Sequence, residues 1–140
     1  VPAISCAFPP TLTSTRDARI AVSEVASAGG LGPAERDTLL LVLSELVTNA
    51  VCHAATPYEL IVTIEDRSIH IEVTDADPTA PHRRTAAPDR EGGHGLNLVD
   101  DLADSWGTRA RADGEPGKTV WADLDLGRVA AATPPADAVP

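Results

Sequence analysis

Leu39 to Ala55 reads LLLVLSELVTNAVCHAA, and how that run folds decides the architecture of the chain. Its apolar residues recur three and four apart, at Leu39, Val42, Leu43, Leu46, Val47 and Ala50, which predicts a helix docked by one face on a core. The other face carries Ser44, Glu45, Thr48, Asn49, Cys52 and His53. Solvated helix faces are usually built from Lys, Glu, Gln and Arg, whereas Ser, Thr, Asn and His each cost about 0.5 kcal/mol relative to Ala. Several of them together in mid-helix mark this side as a candidate binding surface. Glu45 and Asn49 are four apart, so a helix points their carboxylate and carboxamide the same way, about 6 Å from each other. An amphipathic helix with a merely polar outside has the same pattern, and the stretch alone leaves both readings open.

Upstream, Ile4 to Phe8 alternates and stops at Pro9-Pro10, as a short edge strand does. Thr13 or Ser14 is placed to cap a helix running to about Ala28, with Ile20, Val22 and Val25 turned inward. Gly29-Gly30 ends it, and Pro33 suits the first position of the next helix, where its missing N–H does no harm. Downstream, Tyr58 to Glu65 and Ser68 to Thr74 alternate around Asp66-Arg67, an antiparallel hairpin. Leu96 to Ala103 predicts a short helix, and Ser105 to Ala110 and Lys118 to Leu126 predict two further strands joined through Gly114 and Gly117. Between Asp75 and Gly95 the pattern dissolves into Pro, Arg, Ala and Gly, the composition of a lid or a disordered segment. Residues 127–140 are Ala/Pro-rich with little to bury, so a disordered tail is expected after a domain of residues 1–126. The order of elements predicts an α+β fold: a two-layer sandwich with a mixed, mostly antiparallel sheet and three helices on one face.

A chain of 140 residues suffices for one domain with a real core. Its net charge of −10 argues against a nucleic-acid partner or an anionic membrane, since both call for a basic surface. A nucleotide is not excluded, because a metal and local backbone donors can hold phosphates on an acidic protein. Cys6 and Cys52 lie far apart, without metal-ligand spacing and with no secretory segment before them, so reduced thiols in a cytoplasm are expected. No apolar run reaches membrane-spanning length.

Three further positions could carry chemistry. Glu91-Gly92-Gly93-His94-Gly95-Leu96 precedes a predicted helix, where glycines permit close approach and free amides favour phosphate; a flexible hinge looks the same. Asp75 ends a strand where a carboxylate could accept from an exocyclic amine, or could simply start a turn. Gly117-Lys118-Thr119 superficially suggests a phosphate-binding loop, but the earlier glycine of that motif is replaced by Ala112. Val120, Ala122 and Leu124 then alternate as a strand, not a helix. Thr119 is read as pointing a hydroxyl inward near the start of that strand. The histidines and cysteines show no zinc-site spacing.

Taken together, Glu45-Leu46-Val47-Thr48-Asn49-Ala50-Val51-Cys52-His53-Ala54, Asp75, Gly93-His94-Gly95-Leu96 and Gly117-Lys118-Thr119-Val120-Trp121 resemble the motifs of the histidine-kinase-like (GHKL) ATPase superfamily. Within it they look most like the anti-sigma factor serine/threonine kinases of actinobacterial type, over about Phe8 to Leu126. The resemblance implies the Bergerat ATP-binding fold and Mg²⁺-ATP as ligand. Asn49 would bind Mg²⁺ through its side-chain oxygen, an oxygen ligand of the kind Mg²⁺ prefers. Glu45 would act as catalytic base toward the attacking hydroxyl. Asp75 and Thr119 would recognise adenine, directly and through water, while backbone amides of Gly93, His94, Gly95 and Leu96 would wrap the phosphates beneath a lid of residues 76–92. Cys52 stands where relatives are usually basic, which leaves His53 and His94 to supply that phosphate contact, and Asp77-Pro78 replaces a glycine often kept after the aspartate. The implied partners are a STAS-type anti-anti-sigma protein, as phosphoacceptor, and an RNA polymerase sigma factor, with a homodimer plausible. A catalytically silent nucleotide-sensing module is the alternative: Glu45 favours the kinase, and Cys52 and the altered loop favour the module.

Overall fold

Five strands in the spatial order β1-β2-β3-β5-β4 make one sheet, and each of its four pairings is antiparallel. They are β1 Ala3–Phe8, β2 Tyr58–Glu65, β3 Ser68–Asp75, β4 Ser105–Ala110 and β5 Lys118–Asp125. The helices are α1 Leu12–Ala28, α2 Pro33–Thr48 and α3 Gly95–Leu102, and a π-helical segment, Asn49–Ala54, continues α2. The computed structural model describes residues 1–79 and 95–126. The expected lid falls largely, and the expected tail entirely, outside the described residues. The α+β sandwich anticipated from the order of elements is the fold observed, with no parallel pairing among the described strands.

Strand alternation sorts the sheet into two faces. Leu60, Val62 and Ile64 on β2, Ile69, Ile71 and Val73 on β3, and Val120, Ala122 and Leu124 on β5 are buried in one core with the helices. From α2 that core receives Leu39, Val42, Leu43, Leu46 and Val47, the stripe read from the sequence, followed by Ala50. The opposite face, with Ser68, His70, Glu72 and Thr74 on β3, has no helix over it among the described residues. Pro33–Ala54 is long and apolar enough to cross a membrane. That length was hidden in the sequence because Ser44, Glu45, Thr48 and Asn49 interrupt the apolar run. Its apolar side is buried on the sheet, as that of a core helix is.

Local signals set the ends of these elements. Thr11, not Thr13 or Ser14, caps α1: its hydroxyl accepts from the Ser14 amide at 3.2 Å. Ser14 is instead buried and bonds the Tyr58 hydroxyl at 2.9 Å, tying α1 to β2. Ile20, expected inward, is 53% exposed. Ala18 and Val22 are four apart and both buried, so Ile20, two residues from each, lies about half a turn away on the solvent side. At the other end Gly30 takes φ +78° and the Leu31 amide reaches back to the Ala26 carbonyl, a glycine-terminated stop. Asp66 and Arg67 both adopt positive φ, the conformation a two-residue hairpin demands, and the Arg67 guanidinium pairs with Glu35 on α2.

Candidate functional site

The helix read as continuous α to Ala55 changes character at Asn49. The Asn49 amide still bonds back toward Glu45, one α turn earlier, so the two side chains leave the helix on the same side. From there the turn widens, with the Ala55 amide donating to the Ala50 carbonyl at 2.8 Å, and Ala55 closes it at φ +56°. π-helical turns appear mostly as single insertions, frequently at functional sites. Asn49 is 7% exposed, Glu45 is half-buried, and Cys52 and His53 are exposed. Asparagine is mostly exposed in folded proteins, so a carboxamide buried this far on a helix is unusual.

Beyond Ala55 the chain leads directly to the second half of the site. The Thr56 hydroxyl accepts from the Ala76 amide at 3.0 Å, and Tyr58 pairs with Asp75 in the β2–β3 register. The π-helical segment also packs against β3. This brings the carboxyl end of β3, and Asp75 with it, to the end of the helix that carries Glu45, Asn49 and His53.

Asp75 is 1% exposed and faces Lys118, itself 5% exposed, across the β3–β5 ladder. The Lys118 ammonium donates to Asp75 Oδ1 at 3.1 Å and to the Asp77 carbonyl at 3.0 Å, and the Asp77 amide donates to the same Oδ1 at 2.9 Å. The second oxygen, Oδ2, lies 3.0 Å from the ammonium but is not aligned to accept from it, and it has no hydrogen bond among the described residues. The Asp77 backbone thus holds both members of the pair, its amide on Asp75 and its carbonyl on Lys118. Gly117 holds this corner together: at φ +137° it approaches so closely that a Cβ there would stand 2.1 Å from the Asp75 carbonyl oxygen.

Thr119 does not point inward as expected. Asp75 pairs with Lys118 and Thr74 with Thr119, so successive residues put Lys118 on the helix side and Thr119 on the helix-free face. There its hydroxyl bonds that of Thr74 at 2.7 Å, away from Asp75. Counting back from the apolar alternation Val120, Ala122, Leu124 would have assigned the inward position to Lys118, a residue the sequence reading passed over. Leu96 is buried in the core beside Val99, so only its backbone is available to a ligand. Gly95 begins α3, while Gly93 and His94 lie outside the described residues.

The helix-free face carries a charge cluster that no motif signalled. His70 Nδ1 meets Asp123 at 2.6 Å and Nε2 meets Glu72 at 2.7 Å, and Glu72 also pairs with Arg109 at 3.0 Å. Burial works to lower the His70 pKa, but the bonds and charges of Asp123 and Glu72 outweigh it and raise the pKa above the ordinary 6.5. For Glu72 burial works upward, and the bonds and charges of His70 and Arg109 bring it below the ordinary 4.5.

A family model described as a histidine kinase-like ATPase domain matches residues 8–124. Among solved structures, the crystal structure of the RsbU and RsbW domains of Rv1364c from Mycobacterium tuberculosis superposes with a TM-score of 0.67 at 17% identity. The match covers 90% of this chain and 33% of that one, so this chain spans about a third of that protein's length. No curated protein sequence matches.

Proposed function

The chain belongs to the histidine kinase-like ATPase domain family, and from that premise we propose that it is an ATP-binding regulator of anti-sigma type with serine/threonine kinase activity. The observation that carries the nucleotide reading is Asp75 Oδ2, a buried acceptor without a hydrogen bond among the described residues, at the end of the Asn49 helix. Leaving such an atom unsatisfied costs about 1–3 kcal/mol, a cost that a donor such as the exocyclic amine of adenine removes. Asn49 and Glu45, on one side of the helix, offer the oxygen donors that suit Mg²⁺, with Asn49 as the protein ligand. When bound, the metal neutralises phosphate charge.

In this reading Asp75 fixes the base, and Glu45 accepts the proton of a serine or threonine hydroxyl as its oxygen bonds to the γ-phosphorus. The bond from that phosphorus to the bridging oxygen breaks and ADP leaves. The backbone amides of Gly93, His94, Gly95 and Leu96, and the exposed His53, are proposed to hold the phosphates. Thr119 is not part of this proposal. The acceptor is proposed to be a STAS-type anti-anti-sigma protein, with a sigma factor sequestered when that partner is absent, in a cytoplasmic, dimeric regulator.

Incubation with labelled ATP, Mg²⁺ and a cognate STAS protein tests this reading. Partner labelling that disappears in Glu45→Ala supports the kinase. ATP binding without transfer to any partner supports the silent module, which the exposed Cys52 and the Asp77-Pro78 turn favour. Absence of ATP binding overturns both.

A further inference from the structure

We propose that Lys118 reads the base together with Asp75, donating to the ring nitrogen that flanks the exocyclic amine while Asp75 Oδ2 accepts from the amine itself. This rests on the nucleotide reading above and adds to it a residue that sets base specificity. A lysine ammonium has three N–H donors. Two of them go to Asp75 Oδ1 and to the Asp77 carbonyl. Oδ2, only 3.0 Å from the same nitrogen, has no donor among the described residues. One donor and one acceptor therefore stand side by side at the end of the β3–β5 ladder.

The pair cannot easily rearrange. Both side chains are more than nine-tenths buried, they face each other in register, and Gly117 seats the start of β5 directly on the Asp75 backbone. A buried ion pair is stable only if its remaining hydrogen-bonding positions are filled. A cavity of about 320 Å³ opens beside it, walled by Lys118, Gly117, Pro78 and Thr108. Adenine presents the matching edge: an amine donor next to a ring-nitrogen acceptor, N1 on one side and N7 on the other. Guanine and hypoxanthine put a carbonyl oxygen in place of the amine, which would set one acceptor against another at Oδ2.

Binding of ATP, 1-deaza-ATP and 7-deaza-ATP, each with Mg²⁺, to the full chain by titration calorimetry tests this inference. One of the two analogues is expected to bind wild-type protein at least about tenfold more weakly than ATP, the loss of a hydrogen bond to a charged donor. Which one identifies the edge that is read. In Lys118→Met the discrimination should shrink to below about threefold. Should removal of the charge beside Asp75 prevent folding, Lys118→Arg keeps the charge but moves the donors, and it should lose the same discrimination. Equal affinity of wild-type protein for all three nucleotides, or discrimination that survives the substitution, overturns the role of Lys118 and leaves the nucleotide reading intact. Failure of ATP itself to bind overturns both.

Discussion

Gly117 lies against Asp75 so closely that no side chain fits between them: its φ is +137°, and a Cβ would stand 2.1 Å from the Asp75 carbonyl oxygen. Gly117→Ala must therefore displace either the start of β5 or the end of β3. The expected cost is about 2–4 kcal/mol, read by urea unfolding. A loss below about 0.5 kcal/mol would mean that this corner is more yielding than its geometry implies.

Thr119→Val removes a hydroxyl bonded to Thr74 on the helix-free face. Stability should fall by about 1 kcal/mol. ATP affinity should stay within about twofold of wild type, because the side chain points away from Asp75. A tenfold loss of affinity would restore Thr119 to the base-binding set.

Tyr58→Phe breaks the bond to Ser14 that ties β2 to α1. The Ser14 hydroxyl keeps the Thr11 carbonyl as its acceptor at 2.7 Å, so no buried hydroxyl is left without a partner. The expected destabilisation is about 0.5–1.5 kcal/mol by chemical denaturation. Burial raises the Tyr58 pKa, opposed in part by the Ser14 bond, so the midpoint of the phenol's spectrophotometric titration should lie above the ordinary value of 10.0.

His70 and Glu72 give the sheet a pH window. The raised His70 pKa means that its contribution is complete below 6.5 and is lost as pH rises through the folded-state value. The lowered Glu72 pKa means that its contribution is complete above 4.5 and is lost as pH falls through its own folded-state value. The difference in melting midpoint between wild type and His70→Gln should be greatest between pH 4.5 and 6.5 and shrink as pH rises above that window. Because the cluster is half-exposed, the peak should be on the order of 3 °C. A difference that does not vary with pH would show that the ring acts only by packing on Trp121, 6.4 Å away between ring centres.

Much of this could be read without coordinates because burial writes itself into spacing. Leu39 to Ala50 fixed the core face of the central helix, and the alternation around Asp66-Arg67 fixed the hairpin. What could not be read depended on hydrogen bonds or on single-residue phase. Over the six residues Asn49–Ala54, α and π turns give nearly the same pattern of apolar positions, so backbone hydrogen bonds such as that from Ala55 to Ala50 separate them. Thr119 was expected on the wrong face because a strand has period two, and a slip of one residue turns a side chain to the other face. Ile20 was misassigned on hydrophobicity, against a stripe that Ala18 and Val22 define. The His70 cluster joins β3 to β4 and β5, and its partners become neighbours only when the strand order is known.

The last strand made is not the last in space: β5 sits between β3 and β4. On the ribosome, a nascent chain that stops short of Lys118 has β4 with nothing to pair to and β3 with a bare edge. The β5 side of the Asp75 corner cannot then be closed, although β2 already flanks the other, so translation must run almost to Leu126 before there is a pocket for any nucleotide to enter.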